Sequence, residues 1–154
     1  MMRELKLYES GIRDYNKLLE GRKAFVTTAA RGIGKSIALL FARQGAAVYF
    51  GGRNEEYVLG TERELGQIMP ECRGYIIDLA NAAQSEDAAQ AVLRDSGGID
   101  ILVCTAGVNC HCAADAYRDE DMARLLETNY LSGLRFARAF LPGMRGRKGG
   151  SIVN

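Results

Sequence analysis

No run of apolar residues in this 154-residue chain approaches the ~20 needed for a membrane-spanning helix. Behind Met1-Met2-Arg3-Glu4 there is no apolar signal core. Net charge is only +1, so there is no bulk electrostatic case for nucleic acid or a membrane as partner. Internal repeats and low-complexity segments are missing too. The four cysteines therefore read as reduced thiols of a cytoplasmic protein. What remains is ordinary for a globular chain: 47% apolar and 25% charged residues, enough for one domain with its own core.

What is present is an alternation. Short apolar runs predict strands at Ala24–Thr27, Ala47–Phe50, Gly74–Ile77, Ile101–Thr105 and Ser151–Asn154. Helical patterns fill the gaps at 33–43, 55–68, 82–94 and 119–141. Strands joined by helices of ten or more residues imply right-handed crossovers and a parallel sheet covered on both faces. The fold class is thus α/β, a doubly wound parallel sheet. Residues 1–20 are polar and mixed, with a helical turn or two around Ile12 to Leu19, and read as an extension outside a domain spanning 21–154.

The most informative segment is Thr27-Thr28-Ala29-Ala30-Arg31-Gly32-Ile33-Gly34, lying between the first strand and the first helix. Strand, glycine-rich turn and helix present backbone N–H groups to a pyrophosphate. Gly32 and Gly34 allow close backbone approach and close packing of helix on strand. Cys110-His111-Cys112 invites a metal reading, but three adjacent residues rarely converge on one ion and no fourth ligand is apparent, so no metal is expected. That segment reads instead as a loop at the carboxyl edge of the sheet, and Cys104 as a small core residue. In the long helix, Met122, Leu125, Leu126, Leu134, Ala137, Phe140 and Leu141 form an apolar stripe, with Leu131 and Phe136 off it. A helix apolar on two sides is expected to be buried on two sides.

Several segments together resemble the N-terminal part of the classical short-chain dehydrogenase/reductase family. They are Leu19 to Lys23 leading into the first strand, Thr27 to Gly34, Asp78-Leu79, Asp100 to Gly107, Glu127-Thr128-Asn129, and Gly150 to Asn154. The resemblance covers about residues 19–154 and implies a Rossmann-type sheet of about five strands in the order 3-2-1-4-5, truncated after the fifth. It implies cofactor contacts from Thr28, Arg31, Gly32, Ile33 and Gly34 in the turn. Asp78 would bind the adenine amino group with Leu79 beside it, and Thr105, Ala106 and Gly107 would line the cofactor. Two departures stand out. The family has Gly at the position of Thr28, where a positive φ would cost ~1–2 kcal/mol and a negative φ little. The Thr28 hydroxyl is also a donor for a phosphate or ribose oxygen. The family's Asn-Asn-Ala-Gly is here Cys104-Thr105-Ala106-Gly107, which removes two amides that would bridge strands or hold the cofactor.

An acid at the end of the second strand selects the ribose 2′-hydroxyl, whereas a nearby arginine accommodates a 2′-phosphate. Aligned with the family, Gly52 stands where that acid would be. Arg53 follows, and Arg31 is within reach. The expectation is NADP(H) rather than NAD(H). Of the family's catalytic groups only the supporting Asn has a match, Asn129. No tyrosine here has a lysine four positions later, so the Ser, Tyr and Lys that move the proton are expected outside these 154 residues. The resemblance thus implies the cofactor-binding portion of an oxidoreductase interconverting an alcohol and a ketone or aldehyde. These residues alone are expected to be inactive, and helix 119–141 to pair subunits in a homo-oligomer. The alternative is a non-catalytic nucleotide-binding or interaction protein, a truncated paralogue or pseudoenzyme.

Overall fold

The computed structural model describes residues 17–154. The expected turn around Ile12 and most of the 1–20 extension lie outside the described residues. Leu19 is inside them; its N–H donates to the Gln44 carbonyl at 2.9 Å, and its side chain packs on the core.

Five strands form one parallel sheet: β1 (Lys23–Val26), β2 (Ala47–Gly52), β3 (Arg73–Ile76), β4 (Ile101–Val103) and β5 (Ser151–Val153). Their spatial order is β3-β2-β1-β4-β5, the order expected. Helices α1 (Gly32–Arg43) and α2 (Glu55–Gly66) cover one face. The other face carries α3 (Ala82–Ser96) and a long helical segment built from α4 (Asp119–Leu126), a wide turn Glu127–Leu131 and α5 (Ser132–Gly146). Side chains alternate across a strand. Val26 on β1 therefore joins Val48, Phe50, Val58 and Leu65 on one side, while Phe25 meets Phe136 and Phe140 on the other, with ring centroids 4.6 and 5.6 Å away. Tilted and edge-on rings at such distances add to the area they bury.

Helix starts differ in a way that matters for the site. The Asn54 side chain caps α2 by accepting from Tyr57 N–H at 2.9 Å, and Asn81 caps α3 by accepting from Gln84 N–H at 3.1 Å. No described residue caps α1: Arg31 stands at its start with extended backbone and no side-chain bond to the first turn.

The structure corrects the sequence in two places. Thr27, Ile77, Cys104, Thr105 and Asn154 follow their strands rather than belong to them. In the long helix the core face is Phe136, Phe140 and Met144, whereas Met122, Leu126 and Leu134 of the expected stripe are exposed. The cause is the wide turn. Ser132 N–H reaches back five residues to the Glu127 carbonyl, inserting about one residue and turning the downstream face by about 100°. A single helical period read through 119–141 therefore mixes two faces. The helix also continues past Pro142 to Gly146. A proline there forfeits one backbone donor, and burial of Phe140 and Met144 holds the turn in place.

Candidate functional site

At the carboxyl ends of β1, β2 and β4 lies a cleft of about 500 Å³. Its floor is a set of threonines. Thr105 N–H donates to Thr27 Oγ1 at 2.9 Å. The Thr105 hydroxyl donates to the Thr28 carbonyl at 2.9 Å and accepts from Thr28 N–H at 3.2 Å. With that proton committed, the Thr28 hydroxyl, 3.0 Å away, is the donor to Thr105 Oγ1. The chain thus ties the end of β1 to the end of β4 with hydroxyls. The Thr105 hydroxyl takes over the bridging role of one lost amide, and the Thr28 proton is already used within the protein. Lys148 alone among the described non-glycine residues has a positive φ, so Thr28 carries no backbone strain.

The glycine turn follows. Gly32 has φ +62°, a conformation that costs an L side chain about 1–2 kcal/mol. A Cβ on Gly34 would stand 1.7 Å from the Thr28 carbonyl oxygen and 3.1 Å from Thr105 Oγ1, so α1 can start this close to β1 only with glycine there. From α2 the Thr61 hydroxyl donates to the Ala30 carbonyl at 3.1 Å and pins the turn. The N–H groups of Gly32, Ile33 and Gly34 find no acceptor among the described residues. Gly32 lines the cleft, and all three amides sit at the positive end of the helix dipole.

Of the cofactor residues read from the sequence, the cleft gathers all but Ile33 and Gly34. Ile33 is 79% exposed, and Gly34 is buried beneath the turn. Arg31 and Arg53 are exposed at the cleft, and neither has an ion pair or hydrogen bond among the described residues. A Cβ at Gly52 would come 2.7 Å from Ala30 Cβ and 2.8 Å from Val58 Cγ2. Packing against the turn thus excludes an acid there, as well as any larger side chain. Asp78 lines the cleft while its Oδ1 accepts from Ala80 N–H at 3.1 Å, which makes it a turn-forming carboxylate as well.

Asn129 sits in the wide turn, outside the cleft wall. Its amide clamps Val108 from both sides, accepting from the N–H at 2.8 Å and donating to the carbonyl at 2.9 Å; Val108 is the cleft-lining residue. Cleft residues that the sequence reading missed are Asn54, Tyr57, Val108 and Thr128. Asn54 was within reach as a helix cap directly before two glutamates. Thr128 was quoted only as part of the Glu127-Thr128-Asn129 motif, and its Oγ1 is buried without a partner among the described residues. Burial pushes the Cys104 thiol above its usual range, as befits a packing residue. Among the described residues, no cluster of three or more His, Cys, Asp or Glu is arranged to hold a metal ion, and no helix is long and apolar enough to cross a membrane.

Comparison with known proteins gives one consistent result. The family model described as short chain dehydrogenase matches residues 22–154. A 3-oxoacyl-(acyl-carrier-protein) reductase of Vibrio cholerae is 35% identical over 136 residues, covering 88% of this chain and 54% of that protein. The structure of L-sorbose reductase from Gluconobacter frateurii, complexed with NADPH and L-sorbose, superposes with TM-score 0.82 at 29% identity, covering 89% of this chain and 52% of the other. A 7α-hydroxysteroid dehydrogenase complexed with NADH matches equally, TM-score 0.82 at 29% identity, with 89% and 53% covered. The chain spans about half the length of the relatives it matches.

Proposed function

Because the chain belongs to the short-chain dehydrogenase family, we propose that its cleft binds NADP(H), and that residues 21–154 are the cofactor-binding portion of an oxidoreductase interconverting an alcohol and a ketone or aldehyde. The observation that carries this reading is the set of groups left without partners in one place. Three helix-start N–H groups, two arginines and the Thr128 hydroxyl all lack an acceptor or counter-charge among the described residues, and all but the Ile33 and Gly34 amides belong to residues lining the cleft. A dinucleotide supplies what they lack: a diphosphate for the amides, and a 2′-phosphate for Arg53 and Arg31.

In this reading Gly32, Ile33 and Gly34 act through their backbone, and Thr28 through its position rather than its hydroxyl proton. Asp78 accepts from the adenine amino group through the carboxylate oxygen that its turn leaves over, with Leu79 beside the ring. Thr105, Ala106 and Gly107 would line the cofactor where β4 ends. Asn129 holds the cleft wall through Val108. A bound nicotinamide supplies the hydride donor or acceptor. The proton for the developing alkoxide must come from a positioned acid, worth about 10²–10⁴-fold in rate. Tyr57 is the one described tyrosine at the cleft, and Thr61 stands four positions after it. We therefore assign the 154 residues binding without turnover. The exposed apolar side chains of Met122, Leu126, Tyr130 and Leu134 support helix pairing between copies as the oligomer contact.

Titration of the purified chain with NADPH and with NADH tests the assignment. A charge-assisted arginine–phosphate contact is worth about 1.5–3 kcal/mol, so NADPH should bind about 10- to 100-fold more tightly. Equal affinity, or tighter NADH, overturns the choice of cofactor. Steady NADPH-dependent reduction of a carbonyl substrate by the chain alone overturns the claim of binding without turnover.

A further inference from the structure

The loop that leaves β4 and passes the cleft carries Cys110 and Cys112, whose sulfur atoms are 3.5 Å apart. Neither takes part in the cofactor reading. Cys112 is exposed and Cys110 half-buried. The loop is fixed at two points around them: Val108 by the Asn129 amide, and the Cys110 carbonyl by the Tyr117 hydroxyl at 2.9 Å. A disulfide needs the sulfurs at about 2.05 Å, a closure of about 1.5 Å. The other two thiols are no competitors. Cys72 is buried and accepts from Val48 N–H at 3.2 Å; Cys104 is packed against the core.

We propose that Cys110 and Cys112 form a reversible dithiol–disulfide couple at the rim of the cleft, oxidised by a small-molecule disulfide such as oxidised glutathione. The exposed Cys112 loses its proton to solvent, and its thiolate attacks one sulfur of the oxidant. A protein–glutathione mixed disulfide forms and one glutathione thiolate leaves. Cys110, likewise deprotonated, then attacks the Cys112 sulfur, closing the protein disulfide and releasing the second thiolate. The two glutathione thiolates take up the two protons. Two protein thiols are oxidised, and one glutathione disulfide is reduced to two thiols. Attack by the accessible thiol and resolution by its sheltered neighbour follow from their exposures. The Arg118 guanidinium, ion-paired to Asp121 at 2.8 Å, lies close enough to act electrostatically on both sulfurs. Partial desolvation, the hydrogen bond with Cys110, and the charges of Cys110 and Asp121 raise the Cys112 thiol, and Arg118 lowers it, so exchange should speed up as the pH rises.

The test is equilibration of the purified chain in glutathione buffers of increasing oxidised fraction, followed by alkylation, intact mass and peptide mapping. The expected product is a monomeric chain lighter by two hydrogens, with alkylation lost at Cys110 and Cys112 and kept at Cys72 and Cys104 after unfolding. In Cys110→Ser the Cys112–glutathione adduct has no resolving thiol and should accumulate to about tenfold or more above its wild-type level. Full alkylation of both loop thiols in excess oxidant overturns the proposal. So does a wild-type adduct as abundant as the variant's, or oxidation only between chains. Because the readout is covalent, it does not depend on nucleotide binding.

Discussion

The two ends of the parallel sheet treat polar groups in opposite ways. At the amino end charges are consumed by the fold. Asp100 accepts from Lys23 N–H at 3.0 Å and from Arg147 Nε at 3.2 Å. The Arg147 guanidinium also donates to the Ile99 carbonyl at 2.7 Å, and the Lys23 ammonium to the Ser96 carbonyl. At the carboxyl end the Arg31 and Arg53 side chains, the first N–H groups of α1 and Thr128 Oγ1 have no such partners among the described residues. Water serves the exposed groups and Thr128 Oγ1 is the buried exception, and this contrast is what supports the carboxyl end as the proposed ligand face. Within the carboxyl end the helix starts differ as well: asparagines cap α2 and α3, whereas α1 has no side-chain cap among the described residues.

Substitutions can sharpen or break this comparison. The largest effect belongs to Gly34→Ala, where the added carbon meets a backbone oxygen that cannot rotate away. We expect a loss of about 3 kcal/mol or more in urea unfolding. Gly32→Ala, which meets nothing within 4 Å but keeps φ +62°, should lose about 1–2 kcal/mol. Next comes Asp100→Ala at the amino end, which removes the acceptor of a backbone N–H and of a guanidinium and should cost about 2 kcal/mol by the same assay. Thr105→Val strands the Thr28 N–H and carbonyl and should cost about 1–2 kcal/mol, while Thr105→Ser stays within about 0.5 kcal/mol. Smallest is Arg53→Ala, expected within about 0.5 kcal/mol of the parent. A large loss there would mean that the carboxyl-end arginine is structural too, and the comparison would fail.

Much of this was legible in the sequence, for identifiable reasons. Alternating apolar runs and helical patterns predict a parallel sheet covered on both faces, and the family resemblance implied the order β3-β2-β1-β4-β5 that the structure shows. The glycine turn was legible because Gly34 has no substitute. The threonine tie was not. Thr105 read as a lost amide, and its replacement bond exists only once residues 28 and 105 are neighbours in space. The core face of the long helix was hidden by the wide turn at Glu127–Leu131, which has no compositional signature and breaks the period from which the face was read. Asn129 matched a motif, yet its partner, the backbone of Val108, could be named only from the structure.

Backbone hydrogen exchange on the chain with and without NADPH tests the central claim most directly. The amides of Gly32, Ile33 and Gly34 should exchange rapidly in the free protein and slow by about tenfold or more when the diphosphate accepts from them, while the already capped Tyr57 and Gln84 amides change little. Unchanged exchange at residues 32–34 under saturating NADPH would contradict it.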